Sequence, residues 1–250
     1  MTLDLHTARR QLGAAYTLEY HQELTSTNDR ALELARAGAP AGTLVVTEYQ
    51  TAGRGRRGAV WTAPAGSSVM CSLVLRPTAA IPNHQLAILT GVGAAEGLAT
   101  LNVPVKIKWP NDLMVHDRKV AGILVETTGD AVVVGIGVNC AIDEFPEELR
   151  ERAGSLHTLL AREISRERVL TAVVQGLQGA LQRVEAGGIV KVLIAWNTMN
   201  WLSRRKIRVT GPLGTVEGDG LFLDGHKLVF HVFKDCGVVP MPLASTVEVR

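Results

Sequence analysis

Between Val105 and Val138 the chain breaks into four short apolar runs, and this restricts its fold more than any other stretch. Val105–Lys108, Leu113–Val115, Val120–Glu126 and Ala131–Val138 read as strands. Turn residues His116–Arg118 and Thr128–Asp130 separate the last three, which predicts a meander of hairpins. Two further strands are expected upstream, at Thr43–Thr47 and at 69–75, the second ended by Pro77. Helices are expected over 27–37, with Ser26 or Thr27 as cap and Gly38 as stop, and over the apolar stretch His84–Leu101. A third is expected over Arg166–Ala186, where Val169, Val173, Leu177, Leu181 and Val184 fall at helical spacing. Beyond Ser203 the texture changes to short strands broken by glycine and proline: Ile207–Thr210, Gly214–Glu217, Leu228–Val232 and Val247–Val249. The pattern predicts an α+β protein, with a mixed α+β domain over 1–202 and a small β-barrel over 203–250.

Composition excludes several classes. Hydrophobic residues make up 46% and charged residues 20% of the 250, which excludes global disorder. Lysine and arginine total 26 against 24 acids, so no overall field draws the chain to nucleic acid or acidic membranes. No apolar run approaches the ~20 residues of a membrane span, and Met1–Arg10 lacks the core of a signal peptide. Cys71, Cys140 and Cys236 are far apart, odd in number and form no CxxC, so neither a disulfide framework nor a zinc site is expected. A soluble cytoplasmic protein with three reduced thiols is the expectation.

Five segments carry residues with chemistry. Gly53-Arg54-Gly55-Arg56-Arg57-Gly58 matches GxGxxG, but a proline-bearing segment, Ala59–Pro64, follows where a dinucleotide-binding loop requires a helix. It also lacks the Gly-Lys-Ser/Thr ending of a P-loop. Three guanidiniums on a loosely restrained backbone can wrap an anion, and without one they repel and favour mobility; taken alone, the hexamer reads more readily as a solvated basic turn or an RNA contact. Lys108-Trp109-Pro110-Asn111-Asp112 offers an amide for a purine edge and a carboxylate for Mg²⁺ past a proline bend, or else a capped turn with Trp109 in the core. In Arg118–Glu126 the ammonium of Lys119 enters an apolar strand, where it needs an anion unless it sits in an exposed hairpin turn. Gly135-Ile136-Gly137-Val138-Asn139 suits a flat ring against bare backbone, or is a plain strand exit. Ser26-Thr27-Asn28 is a helix cap or a cluster of small polar groups for a neutral ligand.

In this combination and order, the segments resemble the biotin–protein ligase family at Ser26–Asn28, Gln50, 53–58, Trp61, 108–112, 118–124 and 135–139. The likeness spans about residues 20–200, and the tail matches the family's SH3-like barrel in size and place. It implies a mixed-sheet catalytic domain of the biotin/lipoate ligase type. It also implies ATP-dependent formation of biotinyl-5'-AMP and transfer of biotin to a lysine of a biotin carboxyl carrier protein domain. Ser26, Thr27, Asn28 and Gln50 would bind the biotin ring, and Arg54, Gly55 and Arg56 would form the loop closing over the adenylate. Lys119, with Arg56, would act where the biotin carboxyl meets the phosphate. Trp61, Lys108, Asn111 and Asn139 would serve the nucleotide, and Asp112 would serve Mg²⁺. A homodimer is among the assemblies the resemblance allows. The 25 residues before Ser26 are too few for a winged helix-turn-helix, so no DNA binding is expected. The rivals are a lipoate or octanoate ligase, a non-catalytic biotin sensor and an RNA-binding module on the arginine loop.

Overall fold

The computed structural model describes residues 2–212, 214–224, 229–234, 237–242 and 246–249. Helix α1 (Leu5–Leu12) is capped by Asp4, whose carboxylate accepts from the N–H groups of His6 and Thr7. Strand β1 (Thr17–Leu24), helix α2 (Thr27–Arg36) and strand β2 (Thr43–Gln50) form a β-α-β unit with its two strands parallel. A 3₁₀ turn at Arg56–Gly58 then precedes β3 (Ser68–Leu75), α3 (Asn83–Ala99), β4 (Lys106–Lys108), β5 (Asp112–Val115), β6 (Arg118–Thr128) and β7 (Ala131–Asn139). Short helices α4 (Glu147–Arg150) and α5 (Leu156–Leu160) lead to α6 (Arg166–Glu185) and α7 (Ile189–Met199).

The first seven strands make one sheet in the order β1-β2-β3-β7-β6-β5-β4, antiparallel except at β1–β2. The expected meander is therefore present, with β4 extending it by one strand. Strand alternation sorts the core. Leu44, Val46, Leu73, Val134 and Ile136 share one buried cluster with α3 and α6, while Val45, Val74 and Val133 pack with Ala31, Leu32 and Ala35 of α2. Helices α3 and α6 cross through glycines. A Cβ on Gly97 would collide with the carbonyl oxygen of Ala172, and one on Gly176 with that of Gly93. Each such glycine costs a helix about 1 kcal/mol relative to alanine, which the backbone approach offsets through packing.

The tail comprises β8 (Ile207–Gly211), β9 (Gly214–Gly218), β10 (Leu221–Asp224), β11 (Val229–Lys234), β12 (Gly237–Pro242) and β13 (Thr246–Val249). They form two three-stranded antiparallel sheets, β10-β11-β12 and β13-β8-β9, with no closed barrel among the described residues. Leu228, where a strand was expected to begin, and Cys236 lie outside the described residues. The tail is joined to α7: Asn197 donates to the Leu223 carbonyl and accepts from its N–H, both at 2.8 Å. Among the described residues no helix is long and apolar enough to cross a membrane.

Candidate active site

Helix α2 covers only one end of its sheet face, and the uncovered part of that face is a cavity of about 220 Å³. Its walls come from the start of α2, the end of β2, the arginine–glycine loop, and strands β5, β6 and β7. Of the residues singled out in the sequence, Ser26, Thr27, Asn28, Gln50, Arg54, Gly55, Arg56, Trp61, Asn111, Asp112 and Lys119 all line it. Lys108 and Asn139 do not. The Lys108 ammonium lies 5.1 Å from the centre of the Trp201 ring, outside the cavity lining. Asn139 is buried, with its amide donating to the Gly154 carbonyl at 3.1 Å.

One end of the cavity is a web of short neutral polar groups. Ser26 caps α2, accepting from the Asp29 N–H, so the cap and the cavity wall are the same residue. The Gln50 amide oxygen accepts from the N–H and hydroxyl of Thr27 at 2.7 and 3.1 Å. The Ser72 hydroxyl, buried on β3, sits 2.8 Å from the Thr27 hydroxyl and 2.6 Å from the Asn28 amide oxygen. Asn28 fits there only because Gly135 has no side chain: a Cβ would overlap its amide oxygen.

The other end is charged. Lys119 reaches Asp112 at 2.7 Å, so the ammonium entering an apolar strand has found its anion. A register shift between β5 and β6 at Leu113/Met114 lies beside this pair. The Asn111 amide donates to the Ile123 carbonyl and the Ile123 N–H to the Asn111 carbonyl, both at 3.0 Å, which clips the bend after Pro110 onto β6. The flat ring expected against Gly137 is the chain's own Trp61, whose indole a Cβ there would strike. Among the described residues the buried Trp61 Nε1 has no hydrogen-bond partner, and the Lys119 ammonium lies 5.7 Å from the ring centre. Trp109 is core, edge-on to Trp196 at 6.5 Å.

The three arginines of the loop diverge. Arg54 pairs with Asp29 at 2.6 Å and Glu126 at 2.8 Å. Arg57 is exposed, with φ 55°. Loss of surrounding water and repulsion from Arg57 lower the Arg56 pKa, with Asp112 opposing the shift. Burial works against the charge on Glu126, yet hydrogen bonds from Arg54 and Asn28 keep its carboxyl below the usual range. Asp112 is the only carboxylate among the cavity-lining residues, and no cluster of three metal-binding side chains occurs among the described residues. That donor set fits Mg²⁺ carried on a nucleotide's phosphates, and does not fit a cation caged by protein alone.

Asp29, Ser72 and Glu126 were not singled out in the sequence. The signal for Asp29 is adjacency to the Ser26–Asn28 cluster and for Glu126 a carboxylate ending an apolar run, while Ser72, 44 residues from Asn28, has none. A second cavity of about 480 Å³, lined by residues that include Arg118, Phe145, Arg150 and Gly154, also went unread. Its segment is tied to the lysine strand: the Lys119 N–H donates to Arg152 at 2.7 Å and its carbonyl accepts from Gly154 at 3.0 Å.

Comparison with known proteins adds an independent line. The profile of the biotin/lipoate A/B protein ligase family matches residues 20–143. The bifunctional ligase/repressor BirA of Bacillus subtilis is 33% identical over 216 residues, covering 83% of this chain and 66% of that protein. The biotin–[acetyl-CoA-carboxylase] ligase of Mycobacterium tuberculosis is 32% identical over 191 residues, covering 72% of this chain and 71% of that protein. The chain thus spans just under two thirds of the Bacillus relative and 60% of BirA of Escherichia coli. The structure of the biotin protein ligase from Aquifex aeolicus in complex with biotin and ATP superposes with a TM-score of 0.83 at 25% identity, over 94% of this chain and 99% of that one. With a shared fold, 32% identity to a ligase of which it covers 71%, and a site assembled from the motif residues, the chain belongs to the biotin protein ligases of the biotin/lipoate A/B protein ligase family.

Proposed function

We propose that the chain is an adenylate-forming ligase. It condenses biotin with ATP to biotinyl-5'-AMP, releasing pyrophosphate, and then passes biotin to a lysine of a biotin carboxyl carrier protein domain, releasing AMP. One observation carries this reading: a single cavity has a neutral polar web at one end and Lys119, Arg56 and Asp112 at the other. The web of Thr27, Asn28, Gln50 and Ser72 suits an uncharged ring with donors and acceptors on its edge. The cationic end suits the meeting of two anions, a carboxylate and an α-phosphate.

In the first step a biotin carboxylate oxygen attacks the α-phosphorus and the bond to pyrophosphate breaks. Lys119 and Arg56 hold both anions and stabilise the charge that builds on the phosphoryl oxygens, each such preorganised donor contributing ~3–4 kcal/mol. Asp112 would hold Mg²⁺ on the nucleotide, which supplies further positive charge at the phosphates. In the second step a neutral acceptor amine attacks the anhydride carbonyl, the bond from that carbon to the phosphate oxygen breaks to release AMP, and the nitrogen gives up its extra proton to solvent. The loop shields the anhydride from water in between. The two buried, unpaired thiols Cys71 and Cys140 support a reducing, cytoplasmic setting. The change of texture at 202/203 supports treating the tail as a separate unit, although its buried side chains join the main core.

Pyrophosphate release with ATP, Mg²⁺ and either biotin or lipoate tests the reading. Biotin-dependent release is expected, and release with lipoate alone would replace it with the lipoate-ligase reading.

A further inference from the structure

The arginine–glycine loop is held to the body by two carboxylates. Arg54 places two nitrogens on Glu126, at 3.1 and 2.8 Å, and one of them also on Asp29 at 2.6 Å. The hydrogen bonds from Gly55 to Ala59, from Ala59 to Arg56 and from Trp61 to Gly53 are internal to the loop. Among the described residues, Arg54 therefore makes the side-chain hydrogen bonds that tie residues 53–60 to the rest of the chain. Glu126 stands on β6 two residues beyond Leu124 and four beyond Gly122, on the strand face that lines the cavity. Its Oε2 is shared, accepting from Arg54 at 2.8 Å and from the Asn28 amide at 2.9 Å. Asn28 in turn meets Ser72, which meets Thr27. One carboxylate oxygen thus joins the loop to the neutral polar web.

We propose that Glu126, assisted by Asp29, is a positioning residue that latches the loop shut through Arg54 and couples closure to the setting of Asn28. The pair is partly exposed, with Glu126 27% and Asp29 46% accessible. A bidentate, charge-assisted contact in that setting holds a geometry without locking it, as a loop that must open for each turnover requires. The role in the reaction rests on the proposed ligase activity; the ion pairs that make the latch do not.

The test is limited tryptic digestion of the ligand-free chain, since cleavage after Arg56 or Arg57 reports loop opening. Glu126→Gln is expected to speed loop cleavage by about tenfold, and Asp29→Asn by a smaller factor. Arg54→Met alone and Arg54→Met with Glu126→Gln are expected to be cut at the same rate, because the two side chains act through each other. With biotin, ATP and Mg²⁺, Glu126→Gln is expected to release its adenylate about tenfold faster while the burst of pyrophosphate falls less than threefold. Unaltered cleavage in both single variants, or effects of Arg54→Met and Glu126→Gln that multiply, would overturn the latch. If Glu126→Gln does not fold, Asp29→Asn on the surface of α2 decides alone. A chain that makes no adenylate would remove the ligase reading and leave the digestion result standing.

Discussion

At the scale of single residues, the site depends on who already holds whom. Lys119 is paired with Asp112, so on the proposed function substrate anions compete for an ammonium that this carboxylate orients. Lys119→Ala is expected to slow adenylate formation by about a hundredfold or more, read as pyrophosphate release in a single turnover; near-normal release would remove that role. Gly137 makes a different demand. Its missing side chain is where the Trp61 indole lies, so Gly137→Val must push the ring into the cavity. Weaker nucleotide and biotin binding by titration, with Tm little changed, is the expected result. These positions were legible because charge in an apolar strand and paired glycines are local signals. Glu126 was not, because only folding brings a strand-end carboxylate to a loop 72 residues away. For Lys108 and Asn139, sequence cannot say which way a side chain turns, and here they meet Trp201 and Gly154.

Among elements, the hairpins of β5, β6 and β7 were readable from turn residues between β-branched runs. The parallel pairing of β1 with β2 was not, because its partner lies across a helix and β1 (TLEYHQEL) mixes polar and apolar residues without clean alternation. Helices α1 and α7 also went unassigned. The first is short, and the second, IVKVLIAWNTM, carries β-branched residues that a local reading gives to strands. One buried ion pair knits these elements. Glu48 of β2 accepts from Arg166 of α6 at 2.7 Å, from the Leu3 N–H at 2.7 Å and from the Tyr20 hydroxyl at 3.1 Å. Burial opposes its charge, but Arg166 and the Leu3 N–H outweigh it and hold the carboxyl below the usual range. A carboxyl depressed by folding contributes stability that is complete above its unfolded pKa and is lost as pH falls through the folded one. Denaturation midpoints should therefore drop as pH falls below the ordinary carboxylate range. Glu48→Gln should lose about 3 kcal/mol at neutral pH, because it removes one charge of a buried ion pair, and should show a shallower acid dependence. Parallel pH curves for the two proteins would contradict this.

Across the whole molecule, one continuous core runs from α1 to the tail. Ile207, Val209, Leu221, Leu223, Val232 and Met241 cluster with Trp196 and Leu202. Cys71 and Cys140 lie inside that core, and burial pushes both thiols up to about 12. Peptide mapping after iodoacetamide treatment of the native protein at neutral pH should find both unlabelled, with labelling appearing only on unfolding; modification in the native state would show that the core opens. On the proposed function, this one cavity makes biotinyl-AMP and hands biotin on. Intact-mass spectrometry of a biotin carboxyl carrier domain incubated with the chain, ATP, Mg²⁺ and biotin tests it most directly. A single biotin on one lysine, lost when Lys119→Ala replaces the chain, is the predicted result; an unmodified carrier, or equal labelling by the variant, would contradict the account.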